Sequence, residues 1–275
     1  MNINITILVD NYAGDGLSAE HGLSLWIEAA DRHILFDTGQ GGALAPNAEK
    51  LGIDLSSTDM LILSHGHYDH AGGVSRLSRT APALEVFCHP AAIVPRYGMR
   101  GGEAKPLGMP CEALRSLDRL PSQRMHWVQD GTKLSPNMGL TGYIPRQTSY
   151  ENTGGAFYLD PAMRRPDPLD DDLALWINTP EGLIVCVGCC HAGLINTLNR
   201  AIFHSGNSRL RAVIGGFHLL DADESRLEKT TDALRDLSPE RIIPCHCTGA
   251  RAVDFLVQEL GAKVSSGFSG TIVEF

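Results

Sequence analysis

Four side chains that can bind metal lie within six consecutive positions. They are His65, His67, Asp69 and His70, in the order His-Gly-His-Tyr-Asp-His, directly after an apolar run. Neutral imidazoles bind borderline metals such as zinc, and a carboxylate also binds harder ions. Four ligands on one turn can be divided between two ions. The spacing therefore predicts two divalent ions, with His65 and His67 on one and Asp69 and His70 on the other; a solvated histidine-rich turn is the alternative.

A pair of divalent ions would support either of two kinds of chemistry. It can lower the pKa of a bridging water towards neutrality, and it can stabilise charge on phosphate oxygens. Zinc is our first choice of metal, with manganese or iron as alternatives, because histidine and carboxylate suit all three. We expect an enzyme; a metal-containing binding or sensor protein without turnover is the third possibility.

Two further histidines are candidates for the site. His218 follows two glycines after a predicted strand, a position that presents a side chain at the edge of a sheet. We assign His218 and Asp69 as candidate catalytic residues; a hydrogen-bonded structural histidine is the alternative for His218. His21 lies in a Glu-His-Gly turn between two predicted strands, and we expect it to contact substrate.

Positive charge is concentrated in the irregular stretch from about residue 90 to 171. A planar guanidinium can hold a phosphate by two hydrogen bonds. We therefore expect Arg146 to bind an anionic group of the substrate, with Arg96 or Arg100 assisting; the alternative is that these arginines are merely solvated. The stretch contains Arg96, Arg100, Lys105, Arg115, Arg119, Arg124, Lys133 and Arg146.

The charge composition of the chain argues against one class of binding partner. The chain has 275 residues, with 23 Lys plus Arg against 32 Asp plus Glu, and a formal net charge of −9. This balance argues against nucleic acid as a partner, because phosphate neutralisation needs clustered basic residues. Neither a signal peptide nor a membrane-spanning run is apparent, which predicts a cytoplasmic protein without a membrane partner. The 7 cysteines are expected to be reduced thiols, and the oligomeric state stays open.

The first part of the chain reads as strands joined by tight loops. The apolar pattern predicts a helix over residues 42–51 that stops at Gly52, and a buried strand over 60–63 before the histidines. From about 90 to 171 the periodicity fades, as expected of a lid or of a set of short elements. We treat the chain as a single domain, 1–275, with an irregular substrate-side insertion at about 90–171. Strands are predicted at 2–9, 22–27 and 33–36.

Regular alternation of strand and helix returns after residue 171. Two sets of strands with helices outside them predict an α/β fold, a four-layer αββα sandwich. Asp223 is the expected N-terminal cap of the second helix. Strands are predicted at 173–177, 183–187, 212–214, 241–244 and 271–274, and helices at 192–204, 224–237 and 250–260.

With these elements in place, the sequence resembles the metallo-β-lactamase superfamily. The histidine motif after a strand is that family's hallmark, and Asp37 in Phe36-Asp37-Thr38-Gly39 matches its first motif, an aspartate that orients the metal loop. Pro244-Cys245-His246 is similar to its last motif, which implies that His246 binds the second ion. The motifs between depart from the family pattern. His191 is the best candidate for the missing ligand, and Cys189 stands where a bridging carboxylate would be, either as a thiolate ligand or as a small buried residue.

Several strings narrow the resemblance to one branch of the superfamily. They look like the branch named for 7,8-dihydropterin-6-ylmethyl-4-(β-D-ribofuranosyl)aminobenzene 5′-phosphate synthase. This resemblance implies a transferase that joins a dihydropterinylmethyl diphosphate to a small phosphorylated molecule, a ribofuranosylaminobenzene phosphate or a related substrate. A hydrolase of a phosphoester, ester or lactone that uses a metal-bridging hydroxide is the alternative, because fold does not fix function. The strings begin at Gly16, Thr141, Gly188, Gly215 and Cys245.

Overall fold

The protein's structure, a computed structural model, describes residues 2–29 and 31–275, without the side chain of Arg100. The chain divides into two compact units. Unit 1 comprises Met1–Trp127, Ala156–Asp171 and Phe268–Phe275, and unit 2 comprises Val128–Gly155 and Asp172–Gly267. Among the described residues, no helix combines the length and the apolar character that crossing a membrane requires.

Unit 1 is built on a seven-stranded mixed sheet. Its strand order is β16-β1-β2-β3-β4-β5-β8. The β1, β2 and β3 strands are antiparallel neighbours, whereas β4, β5 and β8 continue parallel to β3. The strands are β1 (Ile3–Val9), β2 (Ser24–Ala29), β3 (Arg32–Phe36), β4 (Met60–Ile62), β5 (Glu85–Cys88), β8 (Met125–Trp127) and β16 (Ile272–Glu274).

Both faces of the unit 1 sheet are apolar. On one face, Leu35, Leu61 and Val86 belong to a core cluster that also contains residues of three helices and Ala71 of a further single helical turn. On the other face, alternate residues such as Ile5 and Ile27 are fully buried as well. This is the near-continuous apolar pattern expected of strands covered on both sides. The helices of the cluster are α1 (Leu44–Lys50), α3 (Val74–Thr80) and α4 (Cys111–Asp118), and the single turn α2 (Tyr68–Ala71) follows β4.

Unit 1 also holds a small antiparallel sheet with the order β11-β6-β7. Its strands pair Phe157 with Gly98 and Gly98 with Lys105. The strands are β6 (Tyr97–Arg100), β7 (Glu103–Pro106) and β11 (Phe157–Tyr158).

Unit 2 is built on a six-stranded sheet with the order β15-β14-β13-β12-β10-β9. The three strands β13, β14 and β15 run parallel and in register, so that Val187 lies beside Gly215 and Gly216 beside Cys245. The strands are β9 (Thr132–Ser135), β10 (Met138–Leu140), β12 (Ala174–Thr179), β13 (Gly182–Val187), β14 (Leu210–Gly216) and β15 (Arg241–Cys245).

Three helices cover one face of the unit 2 sheet. Leu198, Leu227 and Leu256, one from each helix, share a buried cluster with the sheet residues Val185 and Val213. The helices are α5 (Leu194–Ser205), α6 (Glu224–Leu237) and α7 (Ala250–Leu260). The Asp223 side chain accepts a hydrogen bond from the Arg226 N–H, which confirms the predicted cap of α6.

The helices after residue 171 were well specified by the sequence, but the stretch from 90 to 171 was not. The α6 and α7 bounds equal the predicted ones, and Gly52, with φ 70°, ends α1 as expected. The stretch 90–171 is a set of short elements, one of the two expected alternatives. It supplies β8 to the unit 1 sheet and β9 and β10 to the unit 2 sheet, because strands this short are stabilised by pairing with neighbours rather than by their own pattern.

Candidate metal-binding residues

The predicted ligands of unit 1 lie on the turn that follows β4. His65, His67, Asp69 and His70 are all buried, with at most 7% of their surface exposed. Gly66 makes this turn possible, because a Cβ atom there would lie 1.8 Å from the carbonyl oxygen of Ala92. The structure therefore excludes a solvated histidine-rich turn.

The side chains of this turn converge on one another. The His65 Nε2 atom is 3.0 Å from the His67 Nδ1 atom, and the His65 and His70 ring centroids are 4.2 Å apart. The Asp69 carboxylate lies 4.0 Å from the His70 Nε2 atom and 3.2 Å from the Nε2 atom of His21, which is half exposed. Buried nitrogen and oxygen donors at this spacing are a donor set that suits a divalent ion such as zinc.

Asp37 fixes the orientation of the histidines. It follows β3 with a left-handed φ of 61°, a conformation that aspartate tolerates better than most residues. Its carboxylate accepts hydrogen bonds from the Ser64 N–H and hydroxyl groups, at 2.7 and 2.6 Å, and lies 2.7 Å from His70 Nδ1. The bond to Nδ1 fixes the orientation of the His70 ring and places the hydrogen of the neutral ring on Nδ1. This arrangement agrees with the role that the family resemblance implied for Asp37.

A buried ion pair anchors the same turn from the other side. The Arg96 guanidinium donates to both oxygens of Asp171, each at 2.6 Å, and to Asp167 at 2.7 Å. Asp171 in turn accepts the Gly66 N–H at 2.7 Å, between the first two histidines. Arg96 is 1% exposed, so the expectation that it helps to bind a substrate anion is wrong: its donors are taken up by these carboxylates and by the Ala91 carbonyl.

Burial keeps one of these imidazoles neutral. Desolvation lowers the pKa of His67 to about 3, although the nearby Asp69 charge raises it in part. Only a neutral imidazole has a lone pair for a metal ion. His67 is therefore in the ligand form at any pH near neutrality.

The predicted ligands of unit 2 lie just beyond the ends of β13 and β15. His191 is 1% exposed and His246 is 5% exposed. The His191 Nδ1 atom is 2.9 Å from the Thr153 carbonyl oxygen, so Nδ1 carries the hydrogen of the neutral ring. His246 has a left-handed φ of 51°, as has His218 at 48°, and non-glycine residues in this region often mark functional sites.

A segment before β11 supports both His191 and the start of α5. Glu151 accepts the N–H groups of Ile195 and Asn196 at 2.8 and 3.0 Å and so caps α5. Burial raises the pKa of this carboxyl group, while these hydrogen bonds lower it in part. The adjacent Asn152 accepts a hydrogen bond from Arg226 at 2.7 Å.

His218 lies among thiols, which the sequence analysis did not foresee. Its ring centroid is 4.4 Å from that of His191. Burial by itself lowers the pKa of His218, but Cys247 raises it above the ordinary value. Burial by itself raises the pKa of Cys247, but a hydrogen bond with Cys189 and the neighbouring histidines lower it well below the ordinary range.

The predicted anion-binding residues have different surroundings. Arg146 is half buried in unit 2, and its Nη2 atom lies 3.4 Å from the His191 carbonyl oxygen. The side chain of Arg100, the other expected assistant, lies outside the described part of the chain. The sequence analysis missed the Arg96–Asp171 pair, because the two residues are 75 positions apart and no local pattern links them.

Comparisons with known proteins agree with this geometry. The sequence profile described as "Metallo-beta-lactamase superfamily" matches residues 18–159. The chain is 32% identical to the 7,8-dihydropterin-6-methyl-4-(β-D-ribofuranosyl)-aminobenzene-5′-phosphate synthase of Methanocaldococcus jannaschii, over 100% of this chain and 97% of that protein. It is 30% identical to an uncharacterised protein of the same organism, over 92% of this chain and 94% of that one.

A solved structure gives the same result at the level of the fold. The crystal structure of Tm1679, described as a metal-dependent hydrolase of the β-lactamase superfamily, superposes with a TM-score of 0.83 at 32% identity, covering 99% of each chain. The chain belongs to the metallo-β-lactamase superfamily. It is a metal-dependent enzyme with the α/β fold of that family, as the sequence predicted.

Proposed function

We propose that the protein is a transferase that joins a dihydropterinylmethyl diphosphate to a ribofuranosylaminobenzene phosphate or a related phosphorylated substrate. The observation that carries this proposal is the 32% identity, over the whole chain, to a synthase named for a product of this kind. Full-length similarity supports a shared reaction better than the fold alone, because one fold hosts many chemistries. Because the chain is acidic overall, a small phosphorylated molecule is also a more suitable substrate than a nucleic acid.

The proposed cofactor is a pair of divalent ions, with zinc first and manganese or iron as alternatives. The convergence of buried imidazoles in unit 1 supports it, as do the hydrogen bonds that orient the rings of His70 and His191. The proposed ligands are His65, His67, Asp69, His70, His191 and His246.

In the proposed reaction, the aminobenzene nitrogen attacks the methylene carbon, the bond from that carbon to the diphosphate oxygen breaks, and the nitrogen gives up a proton. Bound divalent ions would stabilise the negative charge on the departing diphosphate. Asp69 and His218 are the proposed catalytic residues. We further propose that Arg146 and His21 contact the substrate, Arg146 through a phosphate group.

A hydrolase is the second candidate, because Tm1679, which is 32% identical, is described as a metal-dependent hydrolase. The two functions differ in what they require besides the first substrate. A transferase needs the aminobenzene acceptor, whereas a hydrolase needs only water.

The decisive experiment measures diphosphate release by the metal-loaded enzyme with and without the acceptor. The transferase proposal expects release that depends on acceptor concentration, with a product that contains both halves. Equal release in the absence of acceptor would favour hydrolysis. The His65→Ala variant is the control for contaminating phosphatases, because it removes a proposed metal ligand.

A further inference from the structure

Three metal-binding side chains outside the proposed ligand set lie just beyond the carboxyl ends of adjacent strands of unit 2. Cys189, His218 and Cys247 each stand two residues beyond the last residue of β13, β14 and β15, respectively. Because these strands are parallel neighbours, the residues just beyond their carboxyl ends lie at one edge of the sheet.

The side chains meet at a spacing that suits one metal ion. Their ligand atoms all lie within 4.8 Å of one another. Tetrahedral bonds of about 2.0 Å to nitrogen and 2.3 Å to sulfur place ligand atoms about 3.4 to 3.8 Å apart. The three ligand atoms would therefore need to move only about 1 Å closer together to coordinate one ion.

Hydrogen bonds from backbone N–H groups connect the segments that follow β13, β14 and β15. The Gly216 N–H donates to the Gly188 carbonyl at 2.9 Å, and the Phe217 N–H donates to the Thr248 hydroxyl at 3.1 Å. The Leu220 N–H donates to the Cys247 carbonyl at 3.3 Å. These bonds tie each strand end to the next.

Two glycines leave room for the side chains. A Cβ atom on Gly216 would lie 2.6 Å from the Cys247 sulfur, and one on Gly154, whose φ is 77°, would lie 1.8 Å from the His218 ring. Both contacts are shorter than atoms can approach. Cys247 and His218 therefore occupy space that only glycine at these positions leaves open.

We propose that Cys189, His218 and Cys247 bind one soft divalent cation of the zinc type. Two thiolates and an imidazole form the three-ligand set of a catalytic zinc site with an open fourth position. Thiolates favour zinc or cobalt over manganese and magnesium, which favour oxygen ligands. Binding releases to solvent any proton that the two cysteines carry. His218 would then take part in catalysis as a ligand of this ion. Binding of the ion does not depend on whether the protein is a transferase.

The test is a spectroscopic titration of the chelator-treated full chain with Co²⁺, in which thiolate coordination produces a sulfur-to-cobalt charge-transfer band in the near ultraviolet. We expect the band in the wild type, about half of it in Cys189→Ser and in Cys247→Ser, and none in the double variant. Cys186→Ser is the matched control, because Cys186 is a buried thiol of the same sheet. It should leave the band unchanged.

The outcomes separate this proposal from the proposed reaction. A missing band in the wild type, or a band that persists in the double variant, would overturn it. A band that depends on Cys189 alone would also overturn it, because Cys189 would then serve a different set of ligands. Near-ultraviolet circular dichroism and melting temperature establish that each variant folds; if a serine variant unfolds, the alanine variant replaces it. Diphosphate release is not a readout here, so the transferase proposal can fail while this one holds.

Discussion

At the residue scale, the histidine turn depends on one buried carboxylate. Asp37 is fully buried and bonds to both polar groups of Ser64 and to the His70 ring. A carboxylate on the far nitrogen of a ligating imidazole holds the ring in place and increases its basicity. The geometry of the proposed ligands therefore depends on a residue outside the proposed ligand set.

The first prediction concerns this carboxylate. Asp37→Asn should lower metal affinity about 10- to 100-fold, because an amide neither carries the charge nor accepts both kinds of bond. Competition with a chromophoric chelator measures the affinity. Asp118→Asn, at an exposed position on α4, is the control. Equal affinity in wild type and Asp37→Asn would show that Asp37 has only a structural role.

The second prediction concerns the proposed anion contact. Arg146→Ala should weaken binding of a phosphorylated aryl riboside by about 1.5 to 3 kcal/mol, or about ten- to a hundredfold, with metal content unchanged. Calorimetric titration measures the binding. Arg115→Ala, which removes an exposed arginine of α4, should bind as wild type does. Unchanged binding by the Arg146 variant would show that this side chain is only solvated. Loss of the fold would show that its role is structural.

At the element scale, buried charges fasten loops to the sheets. The Arg96 pair with Asp171 and Asp167 joins β6, the histidine turn and the segment after β11 within unit 1. Glu151 fastens the loop around it to α5 in unit 2. Breaking a buried pair leaves an uncompensated charge, so these contacts matter more than surface ion pairs.

The third prediction compares a buried ion pair with an exposed one. Arg96→Met should lower the free energy of unfolding by about 3 to 5 kcal/mol, because it leaves two carboxylates buried without a cation. Arg209→Met, which breaks the exposed pair with Glu240, should cost at most about 1 kcal/mol. Urea unfolding of both variants measures the difference. Similar losses in the two variants would contradict the prediction.

The fourth prediction concerns the pH dependence of the α5 cap. Because burial raises the pKa of Glu151 in the folded state, the folded protein binds this proton more tightly than the unfolded chain. The contribution of Glu151 to stability is therefore greatest below the unfolded pKa and declines as the pH rises through the folded pKa.

Relative to wild type, Glu151→Gln should become more stable as the pH rises from about 4 to about 8. The urea midpoints of both proteins across this range measure the difference. Glu112→Gln, at an exposed position on α4, is the control. A difference between wild type and Glu151→Gln that does not change with pH would contradict the raised pKa.

For the molecule as a whole, metal binding and folding are linked. An ion that binds the folded chain and not the unfolded chain stabilises the fold by mass action, by about 2.7 kcal/mol at a concentration 100 times the dissociation constant. Metal content and global stability should therefore change together.

The fifth prediction is that the metal-loaded protein contains two equivalents in the proposed histidine and aspartate set, and loses them when the pH falls below the histidine range. Protons compete with metal at several imidazoles at once, so retention should fall steeply between about pH 7 and about pH 4.5. Elemental analysis after gel filtration measures it, and melting temperature should fall in parallel. The same measurement on the Cys189→Ser, Cys247→Ser double variant counts the two equivalents without any ion that the thiols bind. Full retention at pH 4.5 would contradict the prediction.

Features that depend on a few neighbouring residues could be predicted from the sequence. Side-chain periodicity and hydrogen-bonding capacity can be recognised within short stretches of sequence. They predicted the histidine motif, the position of Asp37 after a strand, the α6 cap, and the helices α6 and α7. The short strands β8, β9 and β10 were missed because their stability comes from pairing with residues distant in sequence.

Only the folded structure shows which distant residues contact one another. It places Arg96 on Asp171 rather than near a substrate anion, and it brings Cys189, His218 and Cys247 together beyond the carboxyl ends of three neighbouring parallel strands. A motif records ligands only when they are close in sequence. Contacts between residues tens of positions apart depend on strand order and register, which the packing of the whole sheet fixes.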